Sequence, residues 1–191
     1  HLTDRPPTDW IAENLPLGGK LAYDPWLMTP NQLTRFRAAC KRAGGELVAV
    51  DSNPVDAAWS GQPAAPISPV VPHGEKFAGV PAADKRRAVA EALQADKLDA
   101  AVLSAPDSIA WLLNVRGGDV PFTPLALSFA IVHADARVEM FVDPVKLAPG
   151  TGRHLGPEVR VSAPDRLGPA LDALGMAKKT VRLNPDAVPA W

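Results

Sequence analysis

Between Gln62 and Gly74 the chain reads QPAAPISPVVPHG, with four prolines and no Asp, Glu, Lys or Arg. Each proline fixes φ near −65° and removes a backbone donor, so this stretch can be neither a helix nor a central strand. The spacing predicts an extended, semi-rigid connector over 62–74. It divides the 191 residues into a part at 1–61 and a part at 75–191.

Upstream, Thr8 to Leu15 predicts a short helix and Lys20 to Tyr23 a short strand ended by Asp24-Pro25. The next helix carries its own start signal. Thr29 is the N-cap, Pro30 suits the first helical position, and Gln32 completes a capping box. Leu33, Phe36, Cys40 and Ala43 fall on one face at helical spacing, and Gly44-Gly45 stops the helix. Glu46 to Val50 predicts a strand and Asn53 to Trp59 a short helix.

Downstream, Ala83 to Lys97 predicts a helix with Val89, Ala92 and Leu93 inward, and Asp99 to Ser104 a strand. A second helix is expected over Pro106 to Asn114, with Ser104 and Asp107 as its capping signal. Val115 to Pro124 holds Gly117, Gly118, Pro121 and Pro124, so it is expected to be irregular. Ala126 to His133 and Arg137 to Val142 are apolar on both faces, as buried neighbouring strands are. A strand at Val159 to Ser162, a helix at Asp165 to Leu174 and a strand at Thr180 to Leu183 complete the pattern. Strands alternate with helices, which defines an α/β class with a mixed sheet flanked by helices. The segment TDWIAENLPLGGKLAYDP is echoed by DRLGPALDALGMAKKTVRLNP, which suggests part of one repeat followed by most of another.

Lys and Arg total 20 against 21 Asp and Glu, so there is no basic field to attract nucleic acid or a membrane surface. No apolar run reaches the ~18–20 residues of a membrane span. Lys85-Arg86-Arg87 is expected to be the solvated face of a helix. The single cysteine, Cys40, fits a reducing compartment and reads as a buried structural thiol. The chain starts at His1 without a Met or a secretory signal, and is expected to be a piece of something longer.

Chemical signals taken singly are weak. His1, His73, His133 and His154 are too widely spaced to form a metal-ligand pair on one helix. No GxSxG elbow, phosphate loop or CxxC occurs, and Asp51, Asp119 and Asp143 do not share a helical face. Trp59, Trp111 and Phe129 are expected in the core rather than as ligand platforms.

The order of short blocks is more specific. Val55, Asp56 and Trp59 precede the Pro-rich stretch, and Asp107, Ile109, Ala110, Trp111, Leu112, Asn114, Arg116, Gly117 and Asp119 follow it. Phe141, Asp143 and Lys146 complete the set. In this order the blocks resemble the three-domain cytosolic aminopeptidase P family, over Trp10 to about Leu183. Asn53-Pro54 stands where that family usually has Asn-Leu, a change a helix start tolerates.

The resemblance implies a creatinase/prolidase N-terminal-domain-like fold over 75–191, with a partial copy of the same fold over 1–61. It implies a parent enzyme that removes an N-terminal residue preceding proline, using two divalent metals, manganese in most members, on a C-terminal pita-bread domain. That domain is absent here, so no catalytic residue, metal ligand or cofactor is expected in this chain. The implied partners are the catalytic domain, a second copy in a homodimer and short proline-containing peptides, in the cytoplasm. The other readings are a stand-alone creatinase-N-type ligand-binding or dimerisation module, and creatinase or prolidase itself.

The candidate substrate loop runs from Asn114 to Pro124 and includes Arg116, Gly117 and Asp119. Arg116 is placed to meet a peptide carboxylate, and Asp119 to order the loop or meet an amine. The preferred reading is structural, with Arg116 and Asp119 paired to each other or to a neighbouring domain.

Overall fold

The computed structural model describes residues 4–191; His1, one of the four histidines, lies outside them. The chain divides into two compact units. One comprises Ala65–Asn184; the other runs to Ala64 and takes in Pro185–Trp191.

The smaller unit holds α1 (Pro7–Asn14), β1 (Lys20–Tyr23), α2 (Pro30–Arg42), β2 (Glu46–Ala49) and α3 (Pro54–Ala58). The start of α2 forms as its sequence predicts. The Gln32 amide donates to Thr29 Oγ1 at 3.3 Å, and the Thr29 amide donates to Gln32 Oε1 at 2.8 Å. Its end is equally local, because Gly44 takes φ +75° and the Gly45 amide returns to the Cys40 carbonyl at 2.9 Å. Strands β1 and β2 pair in parallel, Lys20 beside Glu46 through Tyr23 beside Ala49. Ile11, Ala39 and the fully buried Cys40 make the core of this unit. Burial raises the pKa of the Cys40 thiol, which marks it as inert. The closing segment belongs here: the Ala190 amide reaches the carbonyls of Pro25 and Met28, and Trp191 stacks on Trp26 at 4.3 Å. By its contacts the closing stretch Pro185–Trp191 packs with the smaller unit.

The larger unit holds β3 (Val71–Pro72), α4 (Glu75–Ala78), α5 (Ala82–Ala95), β4 (Ala100–Leu103), α6 (Pro106–Leu113) and β5 (Val115–Arg116). It continues with β6 (Phe129–His133), β7 (Val138–Phe141), α7 (Thr151–Leu155), β8 (Val159–Ser162), α8 (Leu167–Met176) and β9 (Val181–Arg182). Five strands form a mixed sheet in the order β8-β7-β6-β4-β9. Strand β6 is antiparallel to both β4 and β7, while β7–β8 and β4–β9 are parallel.

Alternation along the strands supplies two cores, because successive side chains leave opposite faces. Ala101, Ala130, Val132 and Met140 pack with Leu93, Ile109, Leu112 and Leu113 from α5 and α6. Their neighbours Ala100, Ile131 and Phe141 pack with Leu167, Leu171 and Leu174 from α8. The strands read as unbroken apolar runs because both faces are covered. No helix among the described residues is long and apolar enough to cross a membrane.

Several expectations are corrected. Ala90, not Ala92, faces inward on α5. Ala105 caps α6, because Pro106 takes the first helical position; Ser104 Oγ is buried without a partner. The Pro-rich stretch is no free connector beyond Ala64. Its Val70 is fully buried, donates to the Lys146 carbonyl and accepts from the Ala148 amide and Thr151 Oγ1. Val71 and Pro72 pair antiparallel with Arg116 and Val115, so the start of the expected irregular loop is also strand. Apolar burial and ladder bonds are non-local gains that no reading of proline content contains.

Candidate functional site

The candidate loop begins where α6 ends. Asn114 takes the left-handed conformation at φ 49°, a position Asn tolerates better than most residues. Its side chain is buried and engaged at both ends: Oδ1 accepts from Lys85 Nζ at 2.7 Å and Nδ2 donates to the Val80 carbonyl at 2.8 Å. Its carbonyl accepts from the His73 amide at 2.7 Å. Asn114 is thus a fastener between α5, α6 and the stretch before α4.

Gly117 and Asp119 hold the loop itself. The Gly117 amide donates to the Pro124 carbonyl at 3.2 Å, and a Cβ at this position would stand 2.6 Å from the Ala126 nitrogen. The Asp119 carboxylate collects three donors: Lys146 Nζ at 2.8 Å, the Leu127 amide at 2.7 Å and the Ser68 amide at 3.2 Å. Ser68 Oγ adds a bond to the Gly118 carbonyl at 3.0 Å. The tip, with Val120 opposite Thr123, carries Phe122 at φ 60° with its ring wholly in solvent.

The expected pairing of Arg116 with Asp119 does not occur, since Asp119 is taken by Lys146, whose partner role the sequence did not reveal. Arg116 Nη1 donates instead to the carbonyls of Val115 at 2.8 Å and Ala110 at 3.4 Å. Among the described residues no carboxylate ion-pairs with Arg116 or Lys85. Lys85 is 6% exposed, lies 4.8 Å from the Trp111 ring centroid and donates to the Trp111 carbonyl at 3.0 Å. Loss of solvent and then the Arg116 charge lower its pKa. His73 is lowered by desolvation first, then by Arg116 and Lys85. The neck of the loop is therefore a cationic site braced by neutral acceptors, able to receive an anionic group.

Two expectations fail on burial. Lys85 and Arg86 are buried rather than solvated, and Trp59 and Trp111 are half exposed rather than core. The signal in the sequence was Asn114, a buried-type cap residue whose amide needs a donor as well as an acceptor. Among the described residues no three His, Cys, Asp or Glu side chains gather to hold a metal. The two-metal centre that the resemblance implies therefore has no ligand set in these residues, and no chemistry here runs through it.

The mixed sheet with helices on both faces defines an α/β domain, its candidate loop braced by the Lys146–Asp119 ion pair. Residues 61–191 match the family model of the creatinase/prolidase N-terminal domain, and the chain belongs to that family. The probable Xaa-Pro aminopeptidase P of Coccidioides posadasii (strain C735) is 36% identical over 171 residues, covering 88% of this chain and 26% of that protein. The one from Leptosphaeria maculans is 35% identical over 153 residues, covering 80% of this chain and 25% of that protein. The chain thus spans about a quarter of the length of the curated relatives it matches. Among solved structures, the X-prolyl aminopeptidase of Caenorhabditis elegans, a cytosolic enzyme with a di-nuclear active site, aligns with a TM-score of 0.86 at 29% identity. That alignment covers 96% of this chain and 31% of the nematode protein.

Proposed function

We propose that this chain is the non-catalytic part of a metal-dependent Xaa-Pro aminopeptidase, a hydrolase that removes an N-terminal residue preceding proline. The observation that carries the reading is the likeness to the nematode X-prolyl aminopeptidase across 96% of this chain. In this reading 1–61 is the end of a first creatinase-N-like domain and 75–191 is a second. Both wall a two-manganese active site on a following domain and support a homodimer in the cytoplasm. The Asn114–Pro124 loop faces the cleft, with Asp119 holding its shape and Arg116 taking the carboxylate of a short proline-containing peptide.

The test compares this chain with the longer protein encoded by the same gene on Arg-Pro-Pro, with and without manganese. The longer protein should cleave the peptide in a metal-dependent way, and this chain should neither cleave it nor bind manganese stoichiometrically. Turnover or tight binding of two metal ions by this chain would overturn the reading. A gene that encodes no catalytic domain would replace it with the stand-alone module.

A further inference from the structure

Arg86, on α5, is 7% exposed, and its buried Nε has no hydrogen-bond partner. Among the described residues no carboxylate pairs with its guanidinium; Glu158 acts on it only as a more distant charge. A buried N–H without a partner is costly, and each such group calls for an explanation. Arg86 lines a cavity of about 390 Å³ together with Glu75, Ala82, Ala83, Asn114 and His154. The His154 ring is held there by its Nε2, 3.1 Å from the Leu113 carbonyl.

The same cavity receives the start of α5, a helix of 14 residues whose N-cap, Pro81, offers no side-chain acceptor. The Pro81 carbonyl accepts the Asp84 and Lys85 amides at 3.1 and 3.2 Å, and the Ala82 and Ala83 amides have no partner among the described residues. Free amides at a helix N-terminus carry partial positive charge and bind oxyanions. A side chain on a helix leans toward the N-terminus, so Arg86 stands over Ala82 and Ala83 one turn earlier.

We propose that this cavity binds the phosphate or carboxylate group of a small organic molecule, with the Arg86 guanidinium and the Ala82 and Ala83 amides as donors. The volume lies within the range of about 300–1,000 Å³ that small-ligand sites occupy, more than an inorganic ion needs. Glu75 offers an acceptor for a hydroxyl or amine elsewhere on the ligand. The cavity shares Asn114 with the neck of the loop, and the proposal does not depend on the peptidase reading.

The test is a titration of this chain with sodium phosphate, and separately with sodium acetate, at ionic strength fixed with chloride. Backbone amide and arginine Nε–H resonances are followed by NMR. Saturable shifts confined to Ala82, Ala83 and Arg86 are expected with at least one anion, phosphate assigning a phosphoryl ligand and acetate a carboxylate. Arg86→Gln should weaken that response at least tenfold. Ala83→Asp places a carboxylate at the helix start, where it favours folding, and should abolish the response while raising the melting temperature. Shifts that do not saturate, or that persist unchanged in Ala83→Asp, would overturn the proposal.

Discussion

Lys146 Nζ stands 2.8 Å from the Asp119 carboxylate, with the Asp119 side chain wholly removed from solvent and 8% of the Lys146 side chain exposed. The two residues lie 27 positions apart, and between them the chain builds β6 and β7. The same carboxylate receives the amides of Ser68 and Leu127, so one side chain fixes the Pro-rich stretch, the loop and the turn after β7. Removing either partner leaves an uncompensated buried charge. Asp119→Ala and Lys146→Met should each cost about 3–5 kcal/mol in urea denaturation. The double substitution should cost much less than the sum of the singles. Additive losses would show that the contact carries no coupling.

Gly117→Ala should destabilise by about 1–3 kcal/mol, because the new methyl must push on backbone that is itself pinned. Its Cβ would meet the Ala126 Cα at 2.8 Å and the Ala126 Cβ at 2.7 Å. A drop in melting temperature of about 2–4 °C per kcal/mol is the readout. An unchanged value would mean that the loop adapts.

Arg116 donates only to carbonyls, so its loss should cost this chain about 1 kcal/mol or less. In the proposed longer enzyme, Arg116→Ala should raise KM for short peptides and lower kcat/KM ten- to a hundredfold, the equivalent of ~1.5–3 kcal/mol. Kinetics that change only in proportion to unfolding would leave Arg116 a structural role.

Amide hydrogen exchange should show weaker protection before Gln62 than after Val80. The smaller unit buries a core cluster of Ile11, Ala39 and Cys40 behind a two-stranded sheet, whereas the larger unit closes a five-stranded sheet between two clusters. Equal protection in both would contradict this ordering.

Asp99 ties the start of β4 to the approach to β9, accepting from Lys179 Nζ and the Thr180 amide at 2.8 Å each. The Lys179 hydrogen bond, then the Thr180 amide, hold its carboxyl below the ordinary value of 3.8. The folded chain therefore binds this proton less readily than the unfolded one. The contribution is complete above about pH 4 and is lost as pH falls through the lowered folded value. Asp99→Asn should be less stable than the parent at neutral pH, and the gap should narrow below pH ~4. A gap that does not change with pH would contradict the linkage.

Local rules were legible from the residues. The Thr29-Pro30-Gln32 start, the Gly44-Gly45 stop and the apolar strands at β6 and β7 all stand close to where they were predicted, because caps and alternation involve neighbours in the chain. The placement of Asn114 after a helix end was legible for the same reason. The short helices α4 and α7, absent from the sequence reading, have no sustained period to announce them.

Long-range pairing is what the order of residues did not disclose. Lys85-Arg86-Arg87 read as a solvated face, since three cations in a row ordinarily stay in water. Lys85 is buried against the end of α6, where Trp111 and the cap residue Asn114 meet it across 26 and 29 residues. The same holds for Asp119: a carboxylate between glycines and prolines has several candidate cations, and the choice of Lys146 over Arg116 follows from where β7 ends. The alternation of helices and strands was set by sequence, because hydrophobic period acts residue by residue. Which charges were buried, and against what, was decided by tertiary structure, because desolvation and ion pairing depend on distances through space.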